Sequence, residues 1–422
     1  MDDHIYMCID LKSFYASVEC AERGLDAMTT KLVVADPSRG NGAICLAVSP
    51  ALKQLGVKNR CRIFEIPKGI DYIVAKPRMQ KYIDYSANIY AIYLRYVAKE
   101  DIHPYSIDEM FLDVTHYLFK YNLSPRDLAK KIMDDIRKET GITATAGIGT
   151  NLYLAKVALD ITAKHVKDNI GLLDADLYKR TLWHHKPLTD FWQVGRGIAK
   201  RLQKFGIEDM YDLAHCDEKV LYREFGVNAE ILIDHSKGIE PTTLADIKSY
   251  VPKGHSISQG QILFEDYDYD KTLLVVKEMV DNLSLELVDK GLVTGSISLL
   301  IGYSKDTIPP SSATRRIKIR TNVFSILQEE MTKLYHEITM KDTPIRKINI
   351  GFNDLQDEAT EQLDFFTSQE QVAKERMKQK AMSSIKEKFG KDSIMRGISL
   401  QEGATQRKRN KLIGGHNAGE ES

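Results

Sequence analysis

Ile5-Tyr6-Met7-Cys8-Ile9-Asp10-Leu11-Lys12-Ser13-Phe14-Tyr15-Ala16-Ser17-Val18-Glu19 is an apolar run that ends on a carboxylate and passes into small and aromatic residues. Further along, Tyr105-Ser106-Ile107-Asp108-Glu109-Met110-Phe111-Leu112-Asp113 sets an acidic pair directly before a second apolar run. Residues 5–9 therefore read as a buried strand with Asp10 at its tip, and 110–114 and 143–148 as two more. Between the last two, Leu128, Ile132 and Ile136 recur at helical spacing. After them, 152–163 reads as a helix with Asn151 as its N-cap. Carboxylates are the hard oxygen donors that Mg²⁺ takes. A lone Asp at a strand end is nevertheless ordinarily a cap or turn residue, and an Asp-Glu pair ordinarily a solvated one. Position alone makes Asp10, Asp108 and Glu109 candidates and no more.

Composition narrows the classes. A chain of 422 residues, 43% hydrophobic and 28% charged, can bury sizeable cores and should divide into several domains. No apolar run nears the roughly 20 residues of a membrane span and nothing resembles a signal peptide, so a cytoplasmic protein with no membrane partner is expected. Cys8, Cys20, Cys45, Cys61 and Cys216 are odd in number and lack C-x-x-C spacing, which argues for buried thiols against disulfides or zinc. The 59 basic and 59 acidic residues cancel, so any polyanion-binding surface must be local. Arg315, Arg316, Lys318 and Arg320 form one basic cluster and Arg407, Lys408, Arg409 and Lys411 another, although such runs are ordinarily solvated faces.

Residues 187–240 are helical in pattern and broken by Gly195, Gly197, Gly206, Gly226 and Gly238; 248–253 suits a linker. Over 254–353 the expected order is β-α-β-β-α-β, a ferredoxin-like split motif. Its first helix carries Leu273, Val276, Val280, Leu283 and Leu287 on one stripe, with Gly291 as a stop. One of its strands turns Ile317 and Ile319 one way and Arg316, Lys318 and Arg320 the other, leaving a sheet face to show three cations. Beyond 353 come a polar stretch, a compact apolar knot at 362–366 and a charged helical segment, and the last dozen residues look disordered.

The wording around the acids goes further than their position. Asp10 through Glu19, together with Ser106-Ile107-Asp108-Glu109, resembles the Y family of DNA polymerases, which read D-x-x-x-F-[FY]-A-S-[VC]-E and S-I-D-E at these places. The resemblance implies an α/β (α+β) multidomain right-hand polymerase of bacterial type. Its ferredoxin-like palm would take 1–13 and 80–170, small fingers 14–79, and a helical thumb with a helix-hairpin-helix 171–247. A little finger at 254–353 and a tail at 354–422 would complete it. It implies template-directed addition of deoxynucleotides to a primer 3′ end at low fidelity, and translesion synthesis in the DNA-damage (SOS) response. Such transfer needs two Mg²⁺ ions about 3.5–4 Å apart. Asp10, Asp108, Glu109 and the Leu11 carbonyl would hold them, with Mn²⁺ as a substitute; Asp113 reads as structural. Tyr15 would lie under the sugar of the incoming dNTP as a steric gate; Phe14 is grouped with it at the nucleotide, although it reads easily as a core aromatic.

Further matches follow. Ser49-Pro50-Ala51-Leu52-Lys53-Gln54-Leu55-Gly56-Val57 falls where the family has Y-E-A-R-K-x-G-V, so Lys53 would meet the triphosphate, while Pro50 replaces a frequent Tyr. Gly147-Ile148-Gly149-Thr150-Asn151 through Ala155-Lys156 looks like G-I-[AGS]-x-N-x-x-x-A-K, which makes Lys156 a second phosphate cation. Val194-Gly195-Arg196-Gly197 through Gly206-Ile207 resembles a helix-hairpin-helix, whose glycines Gly195 and Gly197 would let backbone N–H groups reach a DNA phosphate. Gly-Arg-Gly with Trp192 before it looks more like the UmuC-like branch than the DinB branch. Arg316, Lys318 and Arg320 would then track the duplex backbone. Gln362-Leu363-Asp364-Phe365-Phe366 resembles a sliding-clamp docking peptide through Gln362, Leu363, Phe365 and Phe366, against the plainer reading of a local apolar cluster. Primer-template DNA, dNTP and the clamp are the implied partners, with recombinase filaments or accessory SOS proteins for the UmuC-like branch. Two other readings use the same residues: a catalytically silent DNA-binding scaffold, and a palm-fold nucleotidyl cyclase, which would have no use for the hairpin, the cationic sheet or the clamp peptide.

Overall fold

A computed structural model describes residues 4–252, 254–304, 308–360 and 369–419. The clamp-like stretch Gln362, Leu363, Phe365 and Phe366 lies outside them. Two compact units divide the chain between Tyr250 and Val251.

The first unit opens with Tyr6–Leu11 (β1), so Asp10 sits inside the strand and not just past it. Helix Phe14–Ala21 (α1) follows, then a small sheet of Leu32–Val34 (β2), Ala47–Val48 (β3) and Ile73–Ala75 (β4) with helix Pro50–Gln54 (α2). Val33, Cys45, Val48, Leu52 and Val57 make that sheet's own core. Pro50, the departure from the frequent Tyr, begins α2 behind Ser49, whose hydroxyl accepts from Leu52 N at 3.4 Å. Its fixed φ suits a first helical position.

The chain continues through Met79–Tyr93 (α3), Ile102–Pro104 (β5), Glu109–Asp113 (β6), Thr115–Tyr121 (α4), Pro125–Thr140 (α5), Ala144–Gly149 (β7), Leu152–Val157 (α6) and Ile170–Leu173 (β8). The five-stranded sheet runs β5-β6-β1-β7-β8, antiparallel except where β8 joins β7. The split β-α-β order of a ferredoxin-like palm is recovered in it. Tyr6, Cys8 and Phe111 share a cluster with Leu152, Ala155 and Leu159, so α6 and the turn after it cover that sheet face. Glycine makes this approach feasible. A Cβ on Gly147 would overlap the Ala155 carbonyl and the Leu159 amide, and one on Gly149 the Ala155 amide. Asn151 caps α6 as expected, accepting from Leu154 N at 2.8 Å. The helix expected over 152–163 is not uniform: past Val157 it widens to a π turn at Ala158–Thr162.

Helices Ala175–Leu182 (α7), Arg196–Gln203 (α8), Met210–His215 (α9), Glu218–Phe225 (α10), Asn228–Ser236 (α11) and Leu244–Ser249 (α12) complete the unit. Their core, with Phe191, Leu202, Leu213, Leu221 and Ile233, is continuous with Tyr153, Leu154 and Val157 of α6.

In the second unit, Ser256–Tyr267 (β9), Tyr269–Asp289 (α13), Leu292–Tyr303 (β10), Ser311–Thr321 (β11), Phe324–Ile338 (α14) and Ile345–Asp357 (β12) follow the expected β-α-β-β-α-β order. The antiparallel sheet runs β11-β10-β12-β9, so a strand from the other half splits each β-α-β crossover. Leu263, Val276, Val280, Ile297, Leu327 and Ile350 lie in the core between sheet and helices.

The chain end corrects an expectation. Gln369–Phe389 (α15) and Gln406–Asn410 (α16) are followed by a hairpin of Leu412–Ile413 (β13) and His416–Asn417 (β14), so 411–419 is ordered. The holding groups are far off in sequence. Buried Glu278 of α13 accepts from Thr405 N at 2.8 Å and Gln406 N at 3.2 Å, and Asp281 pairs with Arg396 at 2.5 Å.

Candidate active site

In the register of β1 against β6, Asp10 stands opposite Glu109. Directly opposed residues of an antiparallel pair project from the same face, with Cβ atoms about 4.5–5.5 Å apart. Leu11 N donates to the Asp108 carbonyl at 2.9 Å, which fixes the loop end carrying Asp108 beside the end of β1. The backbone thus brings all three sequence-predicted acids and Leu11 to one edge.

Charge is poorly compensated there. Burial first, then the fields of Asp108 and Glu109, push the Asp10 carboxyl from 3.8 up to about 7. The only cation on this face among the described ion pairs is Lys156. Its Nζ lies 2.7 Å from Glu109 Oε1 and 3.0 Å from Asp160. Burial alone would lower the Lys156 pKa, but Asp160 and Glu109 outweigh it and raise it. Glu109 Oε1 also accepts from Cys8 Sγ at 3.0 Å, and the Asp108 carboxylate from Ser106 Oγ at 2.7 Å.

By donor type and backbone placement these acids fit a divalent ion. Their oxygen tips are not yet gathered: among the described residues no set of three acidic, His or Cys side chains already stands as a metal cage. The reason is visible in the pairings. Glu109 is turned to Lys156 and Cys8, and Asp108 to Ser106, so an ion would have to replace these partners.

The nucleotide-side residues divide. Tyr15 is half-buried and its hydroxyl is raised by burial and then by the charge of Asp108, which puts it at the acidic edge. Its ring stacks on Tyr82, centroids 4.4 Å apart at 15°. Tyr82 is itself fixed by its hydroxyl to Glu19 at 2.8 Å, and Arg78 grips the same carboxylate at 2.9 and 2.8 Å. Phe14 does not join the nucleotide site and follows its plainer reading as a core aromatic. At 2% exposed it is core packing behind Tyr15 and has no surface to offer a nucleotide. Lys53 on α2 lies within the field of Asp10: partial burial of its ammonium lowers its pKa, Asp10 opposes this, and Lys164 adds to it. Lys156, expected to face phosphates, is buried against acids instead, at 7% exposed.

Arg78, Tyr82 and Asp160 escaped the reading of the sequence, and Glu19 entered it as the last residue of a motif with no role of its own. Glu19 falls on the same helical face as Tyr15, four residues on, a detectable signal; Tyr82 is 63 residues from Glu19, and no local pattern announces it.

In the helical part, Gly195 is the N-cap of α8 and Gly197 lies in its first turn. A Cβ at either would meet no described atom within 4 Å, so internal packing does not require glycine there. On the second unit's sheet, Arg316 and Lys318 are exposed, but Arg320 is not the free cation expected. It reaches over Gly295 to pair with Asp354 at 2.7 Å and donates to Gln356 at 2.8 Å. Arg409 of the other basic cluster is likewise turned inward, toward Gln259 at 3.4 Å.

Residues 9–160 match the impB/mucB/samB family model and 255–365 the model of that family's C-terminal domain. The chain is 31% identical to UvrX of Bacillus subtilis (strain 168), a protein named for UV-damage repair, over 97% of both chains. It is 32% identical to DNA polymerase IV 2 of the same organism over 99% of both. With DNA polymerase IV 2 of Halalkalibacterium halodurans the figure is 31%, over 99% of this chain and 100% of that one. A solved Y-family DNA polymerase chimera, Dbh-Dpo4(243-245)-Dbh, superposes with a TM-score of 0.65 at 19% identity, covering 84% of this chain and 99% of its own, which speaks for the fold. Two family models and relatives matched over nearly their whole length agree, and the chain belongs to the bacterial Y-family DNA polymerases of the impB/mucB/samB family.

Proposed function

We propose that this chain extends primer 3′ ends on a DNA template by two-metal nucleotidyl transfer, with low fidelity and across damaged bases. The observation that carries the reading is the register placing Asp10 opposite Glu109, with Asp108 hydrogen-bonded to the next residue of β1. Bound Mg²⁺ supplies the charge that lowers the pKa of a primer hydroxyl and neutralises the triphosphate. Asp10, Asp108, Glu109 and the Leu11 carbonyl are the groups that would hold it.

The chain's other residues then have separate tasks. Tyr15, braced by Tyr82, bars a ribose 2′-hydroxyl. Lys53 approaches the triphosphate from α2. Lys156, paired with Glu109 and Asp160, would turn its ammonium to phosphate oxygens if Glu109 served as a metal ligand. Gly195 and Gly197 seat a backbone phosphate at the start of α8, and Arg316 and Lys318 follow the duplex by charge alone. The peptide around Phe365 and Phe366 docks on a sliding clamp. The protein works in the bacterial cytoplasm, where its DNA is.

Primer extension by the purified chain on undamaged and lesion-bearing templates, with Mg²⁺ alone, tests this reading. Extension past the lesion that Asp10→Asn and Glu109→Gln both abolish is the expected result. Activity surviving in either variant would remove that carboxylate from the mechanism, and a wild-type chain that binds primer-template without extending it would favour a silent scaffold.

A further inference from the structure

Trp192 stands three residues before Gly195 and packs against two clusters at once, the helical core and the group of Tyr6, Cys8 and Phe111 on the acidic strands. Its Nε1–H donates to the Tyr105 hydroxyl at 3.0 Å, across 87 residues of sequence. Tyr105 is 46% exposed, so water could serve that hydroxyl and burial does not demand the bond. What the bond does is hold the residue that closes the acidic loop. Tyr105 N and Ser106 N both donate to the Glu109 carbonyl, at 3.0 and 3.1 Å, with Asp108 enclosed between them.

The Tyr105 ring is fixed from several sides. It meets Phe111 edge-on at 5.7 Å and Trp192 edge-on at 5.9 Å, and Lys156 Nζ lies 5.8 Å from its centroid. Behind Trp192, the His235 ring lies 6.1 Å away and nearly parallel, stacks on Tyr153 at 3.9 Å, and is tied to Glu240 at 3.0 Å. Tyr153 and Lys156 share α6. One indole therefore links the helical core to the loop of Asp108 and Glu109 and to the helix of the lysine that pairs with Glu109.

We propose that Trp192 is a positioning residue for the acidic loop: through its hydrogen bond to Tyr105 it fixes the backbone from which Asp108 and Glu109 would reach a divalent ion. The inference rests on the reading that these carboxylates hold the ion. If Trp192 were packing alone, Phe would replace it at little cost to the site. If it positions the loop, losing the N–H while keeping a ring weakens ion binding and leaves the fold intact.

Mn²⁺ titration of the full chain, followed by electron paramagnetic resonance, separates the two. Trp192→Phe removes the donor and Tyr105→Phe the acceptor. Each should raise the Mn²⁺ dissociation constant about three- to tenfold, the size of one lost hydrogen bond. The Mg²⁺ concentration for half-maximal primer extension should move with it, while melting temperature and primer-template affinity stay at the wild-type values. The double variant should be no weaker than the weaker single, since both remove the same bond. Should Trp192→Phe melt early, the half-exposed Tyr105→Phe decides. Wild-type Mn²⁺ affinity in Tyr105→Phe, or losses that multiply in the double variant, would overturn the inference alone. A wild-type chain that binds no Mn²⁺ would overturn the polymerase reading and this inference with it.

Discussion

Asp10 holds its carboxyl where burial and two neighbouring acids oppose its charge, and the consequence can be measured without any substrate. Its folded-state pKa of about 7 stands above the ordinary 3.8, so the folded chain grips this proton more tightly than the unfolded one. The stabilisation is complete below pH 3.8 and is lost as pH rises through about 7. In EDTA, the melting temperature of the first unit should therefore fall across that window. Asp10→Asn, which cannot ionise, should flatten the fall and melt higher than wild type at pH 8, by about 2–4 °C for each kcal/mol relieved. Mg²⁺ should raise the wild-type transition and leave the variant's in place. A variant melting at or below wild type at pH 8 would mean that the acids are not in conflict. Tyr15 makes a prediction of another kind. Its ring plane is set by Tyr82 at 4.4 Å, so truncation removes a defined wall. Tyr15→Ala should raise ribonucleotide incorporation about tenfold or more with deoxynucleotide extension largely kept. Primer extension with each NTP separately reads this, and unchanged sugar discrimination would take Tyr15 out of that role.

At the scale of elements, period and punctuation made most of the architecture legible. Leu128, Ile132 and Ile136 are fully buried as their spacing required, and Asn151 caps the helix it precedes. The Gly147-Ile148-Gly149 match marked a place where α6 had to lie flush on β7, which only the overlap at Ala155 explains. What stayed hidden depends on partners distant in sequence. Nothing local says that Arg320 is taken by Asp354 or that Lys156 rests on Glu109. The chain end is the clearest case, since polar composition suggested disorder. Order comes from Glu278, 1% exposed on α13, whose carboxylate collects the amides that start α16. Glu278→Ala would strand those buried donors at about 1–3 kcal/mol each. Amide hydrogen exchange over 397–418 should accelerate in that variant while the β9–β12 sheet keeps its protection. Uniform exchange rates across both segments would show that the chain end is integral to the domain and not docked upon it.

For the whole molecule, the division after Tyr250 makes the second unit a candidate for independent existence, because its core draws only on residues of its own unit. A fragment of residues 251–418 should fold with one cooperative transition and bind duplex DNA without sequence preference. Contacts made to phosphates alone release counterions, so the logarithm of its affinity should fall linearly with the logarithm of salt concentration. Exposed Arg316 and Lys318 have no ion-pair partner among the described residues and can make such contacts on the β11 face, whereas Arg320 is held by Asp354. Replacing Arg316 and Lys318 together by Ala should reduce the salt slope by about 2, whereas Arg320→Ala should change it by less than either single replacement. Fluorescence anisotropy of labelled duplex between about 50 and 200 mM salt, over which contacts to several phosphates cost orders of magnitude in affinity, gives the slopes directly. Equal effects from all three positions would mean that the Arg320–Asp354 pair opens on DNA. No effect from Arg316 and Lys318 would place the DNA surface elsewhere on the unit.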